Sequence, residues 1–311
     1  MNITINKIKI GDYKNATDII STMAIMRHFL FIYAYLIIGP MLVAINIPVF
    51  LTVMIRKALR TSYLILAIVF LNNALSGMSA IFIGMKRLII SSLEEHHVVH
   101  HDCLLDVPLF LLTTFLLNGY SLLMNSADRL CVVTFPVYYY IHQKQLTCSL
   151  IVAQYVITII AVGSTVIASL AEPKRYISHF CLLPQVYNSY FYAALMLLSS
   201  IASLFSIILM VIVVVMLKKK FGEQFLSSHS YNLLDVVPSI VQCIYMMDPH
   251  IKSQFIMMCC IHLSLLNSFN MVLIFIYRQK DLQNAIIRGF QWLICKKKNY
   301  IHPITTVGFD D

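Results

Sequence analysis

Residues 94–103 read EEHHVVHHDC, setting carboxylates, four imidazoles and a thiol within ten positions. On a helix, His96 and His100, or His97 and His101, would share a face at the i, i+4 spacing that suits two-histidine zinc sites. A zinc peptidase of the common kind needs the order His-Glu-x-x-His, so that the glutamate can act as general base. Here Glu95 precedes His96 and the base is misplaced. No glycine-rich phosphate loop, nucleophile elbow or pair of intramembrane carboxylates appears elsewhere. The chain therefore reads as neither an enzyme nor a cofactor binder, and the role of the histidines depends on the elements around them.

Of 311 residues, 59% are hydrophobic and 12% are charged. Such a composition describes a membrane protein. Crossing about 30 Å of hydrocarbon takes roughly 20 apolar residues in a helix. Seven blocks of that kind are expected, at about 29–55, 63–85, 104–127, 148–170, 190–216, 231–247 and 254–277. The sixth is short and holds Asp235, Pro238 and Gln242. With seven crossings and the N-terminus outside, the inner segments collect fourteen of the 23 basic residues and six of the fourteen acids. That is the positive-inside bias, so the net charge of +9 is a signal of orientation, with lipid and not nucleic acid as the partner.

Residues 1–20 are polar, and the first block is expected to stay as an anchor, with no cleavable signal peptide. Two glycosylation sequons begin at Asn2 and Asn15, in the segment that the charge balance puts outside. After the seventh block, basic residues alternate with Leu282, Ile286, Ile287, Phe290 and Trp292 at near-helical spacing. This predicts an amphipathic helix along the inner membrane surface. Cys295, beside three lysines, is a candidate for lipidation, with a plain reduced thiol as the alternative. Of eight cysteines, the topology puts only Cys103 and Cys181 in an oxidising compartment, which predicts a disulfide stapling an outer loop over the bundle.

The inner end of the third block carries NSADRLCVVTFPVYYY, with Asp128-Arg129 followed by Pro136. Arg129 lies 26 positions after Cys103, about 39 Å along one continuous helix. The combination of seven helices, an outer disulfide, an acidic-Arg pair and a proline in the second inner loop resembles the rhodopsin-like (class A) G-protein-coupled receptors. Asn46, the inner loop RKALR, the stretch YLILAIVFLNNALSG and FCLLPQ around Cys181 match the same pattern, which covers nearly the whole chain. Short termini and a short third inner loop are most similar to odorant-type receptors, those of fish above all. The chain departs from the pattern in several places. Its single tryptophan is Trp292, Asn73 replaces the usual aspartate, Leu130 replaces an aromatic, and NSFNMVLIF stands where Asn-Pro-x-x-Tyr is usual.

The resemblance implies an all-α seven-transmembrane bundle, residues 1–311, with 1–28 extracellular and 278–311 a cytoplasmic amphipathic helix and tail. It implies a plasma-membrane chemosensory receptor that activates a heterotrimeric G protein. Arg129 would be the switch, held at rest by Asp128 and released when an agonist opens the inner mouth. The ligand would bind in the outer half. There Leu111, Leu112, Phe115 and Leu116 line the third helix, with Asn118 a turn deeper. No charge lies on that face, and Leu111 stands where amine receptors hold an aspartate, so the ligand expected is small and mainly uncharged. Two alternatives stand: a small transporter or channel, and a receptor paralogue that no longer signals.

In this topology EEHHVVHHDC is the first outer loop and Cys103 is a staple rather than a ligand. The leading reading of His96, His97, His100 and His101 is a solvated polar loop. The sharper one is a cluster through which protons or zinc tune the ligand entrance.

Overall fold

A computed structural model describes residues 29, 32–91, 97–178, 180–221, 265 and 272. Outside the described residues lie the sixth block with Asp235, nearly all of the seventh, the 278–311 segment with Cys295, the sequons at Asn2 and Asn15, and His96.

Five helices are long and apolar enough to cross a membrane. The first, α1 (Ile32–Ile55), ends at Arg56, the single non-helical residue before α2 (Lys57–Ser91). Pro48 does not break α1, and its carbonyl accepts a hydrogen bond from the Thr52 hydroxyl at 2.7 Å. Helix α2 bends at Tyr63, so its first residues form a short arm and the span proper runs Tyr63–Ser91. A strand β1 (His97–Val99) and a short helix α3 (His100–Leu104) follow. Then come α4 (Val107–Thr134) and α5 (Pro136–Leu170), the latter bent at His142. Strand β2 (Tyr176–Ser178) and one turn, α6 (Leu183–Val186), lead into α7 (Ser189–Phe221).

Two boundaries differ from the hydropathy reading in ways that matter. Cys103 is not on the long helix that carries Arg129. The chain breaks at Leu105–Asp106, and α4 starts afresh with Asp106 as its N-cap and a proline in the first turn. An acidic cap followed by proline is a helix-start signature, and counting the Cys103-to-Arg129 distance along one rod overlooked it. Pro136 does not sit in an irregular loop either, but opens α5 one residue after α4 ends. Hydropathy missed roughly the first three turns of α5 because they lie outside its apolar run.

Among the described helices α4 is the central one, packed against α2, α5 and most extensively α7. Glycines and serines let these helices approach closely, as membrane interfaces require. A Cβ on Gly119 would sit 2.7 Å from the Ser199 hydroxyl of α7. A Cβ on Gly77 would sit 2.8 Å from the Gly39 carbonyl oxygen of α1. Two apolar clusters result. One, towards the disulfide end, includes Tyr35, Leu104, Leu112, Leu116, Tyr187 and Leu265. The other joins Val49, Val53, Leu66, Ala67, Phe70 and Val272, so a position of the seventh block packs on α1 and α2. Ile159, Ile160, Ile167, Phe205 and Val215 turn outward from α5 and α7, the arrangement expected of helices that face lipid.

Candidate functional site

At the disulfide end the two loops pair as an antiparallel ladder, His97 opposite Ser178 and Val99 opposite Tyr176. Cys103 and Cys181 are joined, with Cα atoms 5.8 Å apart, so the ladder is a stapled lid. Cys181 adopts a positive φ of 47°, a left-handed conformation that non-glycine residues seldom occupy.

Of the four histidines, the rings of His100 and His101 are described, and His100 is not solvated. His100 is fully buried, its ring at the joint between the lid and the end of α5. Its backbone N–H donates to the Arg175 carbonyl at 3.0 Å, while Arg175 N–H donates to its Nδ1 at 3.2 Å. The proton therefore sits on Nε2, which faces the Ser169 carbonyl at 3.4 Å. His101 packs beside it, ring centroids 4.1 Å apart, with Nε2 near the Leu170 carbonyl. These two rings tie the lid down. Among the described residues no group of three or more metal-ligating side chains gathers.

Three charges also lie here. Lys86 of α2 pairs with Asp106 and reaches to 3.5 Å from the Cys181 sulfur. Partial burial pushes the Asp106 carboxyl up, but the Lys86 hydrogen bond, the Val107 N–H and the lysine charge outweigh it and hold the group below its usual value. A depressed folded pKa adds stability that is present at neutral pH and lost as pH falls through the carboxylate range, below about 4. Asp106→Ala should cost about 1 kcal/mol in a detergent melt at pH 7, mostly from the cap, and less at pH 3. The third charge, Arg87, is buried one turn from the end of α2 with its guanidinium 5.1 Å over the Tyr35 ring.

On α4, Leu111, Leu112 and Leu116 are buried in the apolar core, and Phe115 is half-buried against it. Asn118, a turn further along, is partly buried towards α2. Its amide donates to the Ser76 hydroxyl of α2 at 2.9 Å, within a ladder that the sequence reading missed. Ser79 meets Thr114 at 3.1 Å, and Asn72 donates to Ser121 at 2.5 Å. The Tyr155 hydroxyl of α5 closes the ladder by donating to the side-chain Oδ1 of Asn72 at 3.0 Å. The signal was present: Asn72, Ser76 and Ser79 recur at helical spacing, as do Thr114, Asn118 and Ser121. Asn73, singled out from the sequence, is buried beside this ladder.

At the far end of α4, Asp128 and Arg129 border a cleft with Tyr63, Tyr139, Gln143 and Thr147. Asp128 accepts a hydrogen bond from the Tyr139 hydroxyl of α5 at 2.8 Å. The Arg129 guanidinium lies 5.9 Å over the Tyr63 ring, at the bend of α2. The ion pairs among the described residues are Lys86–Asp106 and Arg175–Glu172. The adjacent acid thus fastens the α5 arm, and the arginine rests on an aromatic face. Neither contact follows from an Asp-Arg dipeptide, because both partners come from other helices.

No protein-family model matches this chain, and no curated protein matches it significantly.

Proposed function

We propose that the chain is a seven-helix receptor of the rhodopsin-like class, most similar to odorant-type receptors. It lies in the plasma membrane with its N-terminus outside, binds a small, mainly uncharged ligand and activates a heterotrimeric G protein. One observation carries the reading. A single central helix, α4, is tied through α3 and a disulfide to a lid at one end and ends in an Asp-Arg pair beside a cleft at the other. Such a helix couples an entrance to a coupling face: ligand binding beneath the lid favours one packing of the bundle, and the cleft end reads out the change. Arg129 serves this role because it rests on Tyr63 in a contact of modest strength, which an acidic or carbonyl-rich partner can replace.

The test is a response to an odorant panel in transfected cells, with surface expression measured in parallel. Arg129→Ala should lower G-protein signalling at least tenfold while leaving surface level and ligand binding in place. An unchanged response would refute the switch. Ligand-dependent flux in proteoliposomes free of G protein would point to a transporter instead.

A further inference from the structure

The first two turns of α5 carry a patch that the receptor reading does not use. Phe135, Val137, Tyr140 and Ile141 are 65%, 73%, 85% and 68% exposed, and Tyr138 is exposed beside them. Only Tyr139 turns inward, to Asp128. Five large apolar or aromatic side chains around one short arm would be a costly surface in water.

Depth identifies what covers them. Helix α4 has 28 residues, about 42 Å at 1.5 Å per residue, close to the 40–45 Å of a bilayer with its headgroups. The α4–α5 turn therefore falls at the headgroup layer. There the bend at His142 swings the arm away from the axis of the span. Beyond the bend the outward face of α5 continues through Val152, Val156 and Ile160, the surface already read as facing lipid. Tyrosines on the arm and the exposed Lys144 just past it match the aromatic and basic belt of membrane interfaces.

We infer that Phe135–Ile141 is an interfacial anchor, lying in the headgroup–acyl boundary at the arginine end with its tyrosine and aliphatic side chains in lipid. The anchor holds Tyr139 at a fixed depth, and through the Asp128–Tyr139 bond it fixes the end of α4 beside the cleft. This does not depend on the receptor reading, because it requires only that α4 and α5 cross the bilayer.

The test uses tryptophan as a depth probe in the full chain. In a Trp292→Phe background, Tyr140→Trp and, separately, Val137→Trp are reconstituted into phosphatidylcholine vesicles. Lipids brominated near the headgroup or deep in the acyl chain then serve as quenchers, alongside aqueous acrylamide. Tyr176→Trp in the lid, whose native side chain is exposed, is the aqueous reference. The anchor predicts blue-shifted emission, at least twofold quenching by the shallow brominated lipid, and acrylamide quenching at least threefold weaker than at position 176. Strong acrylamide quenching without a bromolipid effect would overturn it and leave a face open to soluble partners. Shielding from both quenchers would also overturn it, since the arm would then be covered by protein, including a second copy.

Discussion

Gly77→Ala should destabilise the bundle by about 1–3 kcal/mol, an outsized effect for one methyl group. The added carbon would meet the Gly39 carbonyl at 2.8 Å, Leu42 Cβ at 2.9 Å and Val43 Cγ2 at 3.0 Å. Two of these atoms are backbone or next to it and cannot swing aside, so α1 and α2 would have to separate. Separation would also loosen the cluster of Val49, Val53, Phe70 and Val272 beyond the crossing. The control is Gly163→Ala on α5, where an added Cβ meets nothing within 4 Å. There the better helix propensity should leave the melt unchanged or raise it slightly. Thermal or dodecyl-sulfate unfolding in detergent separates the two cases, and equal effects would refute the close α1–α2 crossing.

The second large effect is expected at the staple. Cys103→Ser or Cys181→Ser opens a cross-link between positions 78 apart in sequence, for which chain entropy alone gives roughly 4.5 kcal/mol. The loss in a bilayer should be smaller, about 2–3 kcal/mol, because α4 and α5 remain confined by the membrane after unfolding. The β1–β2 ladder and the His100–Arg175 contacts would then hold the lid alone. Backbone amide exchange in residues 97–100 and 175–178 should rise by an order of magnitude or more. The double Cys103→Ser, Cys181→Ser chain should match either single variant, since each removes the same bond. Unchanged lid protection would mean that the disulfide contributes little.

The apolar blocks made five of the helices legible, because twenty apolar residues in a row answer to one physical demand. The cysteine pair was legible for a similar reason, since topology sorts thiols by compartment. Residues whose partners lie on another helix were not. Asp128 stands beside Arg129 in sequence, but adjacency could not show that its hydrogen bond comes from Tyr139 on the next helix. Helical phase placed Asn118 on the face of α4, but it could not show that its amide donates to Ser76 across the interface. His100 read as solvated from its polar neighbours, and it is buried because the Arg175 and Ser169 backbone groups, far off in sequence, satisfy its ring. Hydropathy also stopped short wherever a helix continues beyond the hydrocarbon, as at the start of α5.

Cys103 lies just before α4 and Cys181 just after α5, so the bond between them encloses a complete pair of crossings. Two crossings between them, α4 and α5 inserted as a hairpin, bring the two thiols back to the same side of the membrane. A chain that skips one of the two crossings leaves its sulfurs about 30 Å apart across hydrocarbon, far beyond bonding reach. Closure of this disulfide is thus a readout of threading: a chain that skips one crossing cannot form it, and its Cys103 and Cys181 thiols should be open to alkylation.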